Sequence, residues 1–174
     1  MITIIAGTNR KNSKSRFVSN IYQEILADLG EVSTILDLAN MPSDFIVSAL
    51  YENSGKNSDF NKYRRIIEES SKFVFIVPEY NGSFPGVLKA FIDGLKYPDS
   101  FTDKKCALVG ISSGVQGGGL AVSHLTDIFN YCGMHVLALK PKLARIETHI
   151  SNKHITNDLY MELLQTQARQ LIEF

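Results

Sequence analysis

Between residues 7 and 15 the chain reads Gly7-Thr8-Asn9-Arg10-Lys11-Asn12-Ser13-Lys14-Ser15, a run of hydroxyls, amides and cations suited to holding an anion. Thr8, Ser13 and Ser15 offer O–H donors, and Arg10 offers a planar fork that matches the oxygens of a phosphate monoester. Lysines plus arginines and aspartates plus glutamates number 18 each, so the chain has no net formal charge, yet Arg10, Lys11, Lys14 and Arg16 lie close together. That local excess calls for a partner. A solvated polar loop with a serine helix cap is the alternative reading of the same residues.

The flanking residues favour the anion. Ile2 to Ala6 is a short apolar run of strand type, and Phe17, Val18, Ile21, Ile25, Leu26 and Leu29 recur on one helical face that ends at Gly30. A strand, a turn and a helix start bring the unpaired N–H groups of the first helical turn, at the positive end of the helix dipole, onto one point.

Strand and helix patterns then alternate along the chain. Val32–Leu38 mixes apolar and polar residues as an edge strand does. Residues 39–59 are rich in Asn, Ser and Gly without a period, which predicts a long surface excursion with one helical turn near Phe45–Tyr51; loops of that length often lie over binding sites. Phe60, Tyr63, Ile66 and Ile67 mark a helix. Phe73–Val77 is β-branched and aromatic throughout, as in a central strand buried on both faces, and Pro78 stops it. A helix follows through Leu88, Phe91 and Leu95, then a strand over 106–111, a helix from Leu120 to Cys132, a strand from His135 to Leu139, and a last helix carrying Leu159 to Ile172. This order predicts a single domain over residues 1–174, an α/β fold with a doubly wound, five-stranded parallel sheet in the order 2-1-3-4-5 and helices on both faces. Ligands in such sheets bind beyond the carboxyl ends of the strands, where the strand order reverses. Three small-residue loops fall there: 7–15, 78–86 and 112–119.

Composition narrows the function. Balanced charge argues against a nucleic-acid binder, and no apolar run is long enough to span a membrane. Cys106 and Cys132 sit in apolar contexts without a CxxC spacing and read as buried thiols, and the chain opens on a strand rather than a signal peptide, so a cytoplasmic location is expected. His124, His135, His149 and His154 are scattered and do not have the spacing of metal ligands. The first loop lacks the GxxxxGK[ST] and GxGxxG patterns, and no nucleophile elbow is present.

The segment from Pro78-Glu79-Tyr80-Asn81-Gly82-Ser83-Phe84-Pro85-Gly86 through Asp93 resembles the signature of the NADPH-dependent FMN reductase family, a flavodoxin-like family of quinone, azo and chromate reductases. Its phosphate loop is matched by residues 7–15 and its small-residue turn by 112–119. The resemblance implies that Thr8, Arg10, Ser13, Lys14 and Ser15 hold the FMN phosphate. It further implies that Pro78, Glu79, Tyr80, Asn81 and Gly82 line the isoalloxazine, and that Ser113 and Gly114 meet its polar edge. Thr8 keeps the hydroxyl of the family's usual Ser, whereas Ser15 stands where the family has Asn. No residue is assigned a catalytic role, because the flavin would carry the chemistry.

Carried over to this chain, the resemblance implies an FMN enzyme that takes a hydride from NADPH or NADH and reduces a small acceptor: a quinone, an azo compound, a metal oxyanion or free flavin. It also implies a homodimer or homotetramer, with partner surface drawn from Phe84–Tyr97. Taken alone, Tyr80 and Phe84 are loop packing, and Lys89 with Asp93 is a surface i,i+4 pair. Two other functions stay open: a flavodoxin-like electron carrier, which would ordinarily be strongly acidic, and a flavin-binding module without turnover.

Overall fold

A computed structural model describes all residues, 1–174. Its sheet contains β1 (Ile2–Ala6), β2 (Ser33–Asp37), β3 (Lys72–Pro78), β4 (Lys105–Ile111) and β5 (His135–Val136), paired in parallel in the order β2-β1-β3-β4-β5. The expected strand order therefore holds. Each central strand sends alternate residues to opposite faces. Phe73, Phe75 and Val77 of β3 join Cys106 and Leu108 of β4 on one side, and Val74 and Ile76 join Ala107 and Val109 on the other.

The two faces differ in character. The first is aromatic and is covered by α3 (Ser58–Glu69), α4 (Gly86–Asp93) and α5 (Gly119–Tyr131). There Phe75 and Phe129 lie 4.5 Å apart between ring centroids, Phe45 and Phe60 stack at 5.5 Å, and Phe91 meets Phe60 edge-on at 6.0 Å. The second face is mainly aliphatic, where Val18, Tyr22 and Leu26 of α1 (Lys14–Asp28) meet Leu164, Ala168 and Leu171 of α6 (Asp158–Glu173). Gly30, at φ 85°, ends α1 as its place after the apolar stripe predicts, its N–H donating to Ala27 while that of Glu31 donates to Leu26.

Two departures from expectation matter. The excursion after β2 contains the foreseen helical turn, α2 (Phe45–Ser48), and Phe45, Ala49 and Leu50 bury into the aromatic face. The fifth strand does not run to Leu139. After Val136 the chain leaves the ladder and rejoins β4 as β6 (Lys142–Leu143). Pro141, beyond the expected run and just before β6, has no N–H to donate to a ladder, while its carbonyl accepts the Gly110 N–H at 2.9 Å.

The detour would strip hydrogen bonds from the edge of β4. Gln167 of α6, fully buried, supplies them: its Nε2 donates to the Leu108 carbonyl at 3.0 Å and to the Leu139 carbonyl at 2.7 Å, while its Oε1 accepts from the Tyr22 hydroxyl at 3.2 Å. A short antiparallel pair, β7 (Ile150–Ser151) and β8 (His154–Ile155), precedes α6 and has no counterpart in the expected order.

Gln167→Leu keeps the side-chain volume but leaves the buried Leu108 carbonyl and Tyr22 hydroxyl, and the half-buried Leu139 carbonyl, without this partner. At about 1–3 kcal/mol for each buried group left unpaired, the two buried groups alone predict a loss of roughly 2–6 kcal/mol, seen as a lower urea midpoint at unchanged slope. A midpoint within error of the parent would show that the detour needs no such partner.

Candidate active site

At the carboxyl end of β1, Gly7 donates its N–H to the Ile76 carbonyl at 2.9 Å, which ties the start of the first loop to β3. The loop then turns through Asn12, at φ 54°, into Ser13, whose Oγ caps α1 by accepting the Arg16 N–H at 3.1 Å. That cap uses only one N–H of the first turn, so those of Lys14 and Ser15 have no partner within the helix. Ser15 is 1% exposed, and its Oγ has no hydrogen-bond partner in the protein. A buried, unpaired hydroxyl beside free N–H groups at a helix start is what an incoming acceptor oxygen would satisfy.

The cations divide by role. Arg16 is held away from this point, with Nη1 3.6 Å from Asp37 Oδ2 and Nε donating to Asn20 Oδ1 at 3.2 Å. Arg10, Lys11 and Lys14 form no ion pair, and all three line an open cleft of about 260 Å³.

The remaining wall comes from β3 and β4. Pro78, Glu79 and Tyr80 line it, and the Glu79 N–H donates to the Ile111 carbonyl at 3.0 Å, which sets the two loops side by side. Tyr80 reaches across the cleft so that its hydroxyl and the Thr8 Oγ1 share a hydrogen bond of 2.8 Å. One oxygen of Glu79, Oε2, is buried and unpaired.

Thr8, Arg10, Ser13, Lys14, Ser15, Pro78, Glu79, Tyr80 and Ser113 are thus brought onto one cleft, while Asn81, Gly82 and Gly114 are not on its wall. Asn81 (φ 52°) and Gly82 (φ 76°) are the corner of a two-residue hairpin closed by paired Tyr80–Ser83 backbone hydrogen bonds of 2.7 and 3.0 Å. An Asn-Gly pair is the usual sequence of such a type I′ turn. The Ser83 Oγ lies 2.9 Å from His124 Nδ1, which anchors the hairpin to α5. The carbonyl of Gly114 accepts the Arg145 N–H at 2.9 Å and the Ser112 hydroxyl at 2.9 Å.

The glycines of the third loop serve packing. A Cβ on Gly110 would sit 2.4 Å from the Gly117 carbonyl oxygen, and one on Gly117, at φ 60°, would sit 2.6 Å from the Lys142 backbone. The loop folds back over β4 and β6 only because both side chains are absent. Ile146 and Glu147, which also line the cleft, were not foreseen. They follow β6 and are held by the Ile146 N–H donating to the Ser112 carbonyl at 3.1 Å. The available signal was topological, since the end of any strand paired with β4 must open here.

The doubly wound sheet, with a polar cleft and a helix start at its switch point, defines a flavodoxin-like protein. A model of the NADPH-dependent FMN reductase family matches residues 1–141, and the chain belongs to that family. An NAD(P)H:quinone oxidoreductase of Solanum tuberosum is 32% identical over 136 residues, covering 76% of this chain and 69% of its own. An NAD(P)H-dependent FMN reductase of Pseudomonas aeruginosa is 34% identical over 114 residues, 64% of this chain and 58% of its own, so this chain spans little more than half of that relative. Among solved structures, the FerB flavoenzyme from Paracoccus denitrificans, an NAD(P)H:(acceptor) oxidoreductase, has a TM-score of 0.76 over 99% of this chain and 94% of that one. At 22% identity this is a likeness of fold. Ile146, Glu147 and Gln167 all lie beyond the residues that the family model matches.

Gly110→Ala is expected to push the 112–118 loop off β4 at a cost of about 1–3 kcal/mol, the usual range for overpacking. Hydrogen exchange should then quicken at the Gly117 N–H, which donates to Ser112 Oγ at 3.0 Å. Unchanged protection there would show that the loop is not held by this contact.

Proposed function

We propose that residues 1–174 act as one flavodoxin-like unit that binds FMN with its phosphate on the first loop and reduces small acceptors, quinones or azo compounds, with NADPH or NADH as donor. The observation that carries this reading is the Ser15 hydroxyl, buried and unpaired at the start of α1 with three uncommitted cations around the cleft. The donor set fits a phosphate monoester: hydroxyls and N–H groups at the base, a guanidinium and two ammonium groups at the rim. The family match and the quinone reductases among the relatives support the rest.

The chemistry FMN supplies when bound is two-electron exchange, so that NAD(P)H, a proton and a quinone become NAD(P)⁺ and a hydroquinone. The chain's own residues hold and orient. Ser15, the first-turn N–H groups and Arg10 would fix the phosphate, and Thr8, through Tyr80, links that loop to the β3 hairpin. Pro78, Glu79, Ser112 and Ser113 offer carbonyls, a carboxylate and hydroxyls to the polar remainder of the cofactor. No histidine lines the cleft, in keeping with a site where no side chain is an obligatory acid or base. A neutral chain supports an enzyme over an electron carrier, which would dock through strong acidity.

For the assembly we favour a homodimer, itself open to pairing into a tetramer. Within Phe84–Tyr97, the region expected to supply partner surface, Leu88, Phe91, Ile92 and Leu95 are buried in the chain's own core. The exposed apolar surface lies beside them, where Tyr51, Tyr97 and Tyr131 border a groove of about 720 Å³ between α4 and α5. Lys89 is paired with Asp93 at 2.7 Å on the groove and Lys96 with Asp99 at 2.6 Å beside it, so neither pair opposes a two-fold contact. We place the protein in the cytoplasm, where reducing conditions would keep Cys106 and Cys132 as the free thiols they are here.

FMN should bind far more tightly than riboflavin, and Arg10→Ala should weaken FMN binding about tenfold to a hundredfold, the loss of one charged partner, with Lys11→Ala costing less. Fluorescence quenching measures both, and equal affinities for the two flavins would remove the phosphate loop from the cofactor site. Under nitrogen, NADPH added to FMN-loaded protein should bleach the visible flavin band within the dead time of ordinary mixing and turn over with a quinone. A flavin that stays oxidised would leave a binding module. Light scattering should report a dimer that the Tyr97→Glu, Tyr131→Glu double variant converts to a monomer; a monomeric parent at micromolar concentration would end that assignment.

A further inference from the structure

A second cavity, of about 440 Å³, lies on the other side of Tyr80 from the charged cleft. Leu38 and Phe45, both buried, are among its lining residues, with Met41 and Ile46 from the excursion after β2 and Pro85 and Val87 from the start of α4. Asn9 and Ser43 add the polar groups. No charged side chain lines it, whereas Arg10, Lys11, Lys14, Glu79 and Glu147 all line its neighbour. Tyr80 is the only residue common to the two, and its hydroxyl is fixed on Thr8.

The cavity is formed in advance. The excursion is pinned where it leaves β2, with Asp37 Oδ1 accepting the Ala39 N–H at 3.0 Å and the Tyr63 hydroxyl donating to the Asn40 carbonyl at 2.5 Å. Its volume falls within the range of small-molecule pockets, about 300–1,000 Å³. A charged guest would lose its hydration there without gaining a counter-ion, and a neutral, flat one would bury apolar area while its carbonyls accept from the Asn9 amide.

We propose that this cavity receives the uncharged aromatic body of the electron acceptor, so that the excursion from Leu38 to Ile46 selects neutral quinone-like acceptors over oxyanions. The inference rests on the flavin-reductase reading above and deepens it by separating the acceptor's recognition from the cofactor's. The two sites divide ligands by charge and share Tyr80 as a common wall, so an acceptor in the second still borders the residue that lines the cofactor cleft.

Ile46 is the residue to test, because it lines the cavity and is 53% exposed, so a polar replacement there leaves the core untouched. Calorimetric titration of 2-methyl-1,4-naphthoquinone into oxidised, FMN-loaded protein should show binding that Ile46→Asp weakens at least tenfold and Ile46→Val changes less than twofold. The FMN dissociation constant and the rate of NADPH bleaching should stay at parent values in both variants. A sulfonated naphthoquinone should bind the parent at least tenfold more weakly than the neutral compound. Parent protein that does not bind the neutral quinone, Ile46→Asp binding it as tightly as the parent, or equal affinity for the sulfonated compound would each overturn the proposal. So would loss of FMN affinity in Ile46→Asp, which would make the cavity part of the cofactor site. If NADPH fails to bleach the flavin while naphthoquinone binding still depends on Ile46, the reductase reading falls and the neutral aromatic site stands.

Discussion

The parallel register of β1, β3 and β4 is the constraint on which the rest depends. Ala6 pairs with Ile76, and Pro78 with Ile111, so the three strands finish within a few residues of one level. Three connections therefore open side by side, and each must turn back to a helix within a short distance. That geometry concentrates loose backbone N–H groups at one edge of the sheet, where the dipole of α1 adds its positive end. An acceptor oxygen at this point would complete hydrogen bonding that the fold leaves incomplete. The buried hydroxyl of Ser15 is the clearest trace of that incompleteness.

The division between the faces of the sheet bears on the same edge. The aromatic side, with Phe60 against Phe91 and Phe75 against Phe129, extends into the excursion through Phe45 and Leu50. A segment that carries no regular periodicity is thereby made part of the core at its buried positions, while Ile46 and Val47 remain outside. Surface next to the site is in this way both apolar and rigid, without a strand or a long helix to support it.

Much of this could be read directly from residue order. The convergence of the first loop on the cleft was legible because hydroxyls, cations and a helix start fall together between Thr8 and Ser15. The strand order was legible because β-branched and aromatic runs such as Phe73–Val77 alternate with helical stripes. What escaped notice was set by contacts distant in sequence. The break after Val136 depends on Gln167, thirty-one positions away, and a lone glutamine in an amphipathic helix carries no mark of the carbonyls it will meet. Ile146 and Glu147 reach the cleft only because β6 rejoins β4. Asn81 and Gly82 also carry turn chemistry of their own, which fixes the hairpin that the structure shows.

Gln167 also imposes an order on synthesis. The strands and the three loops are complete by the time Leu143 has left the ribosome, but the Leu108 and Leu139 carbonyls stay bare until α6 emerges and swings its amide between them. Until then the growing chain presents an open β edge next to a half-built wall, the kind of surface that recruits stray strands or chaperones. The helix that covers this edge is made after the strands it serves, so a nascent chain stalled before α6 exposes that edge for as long as it waits.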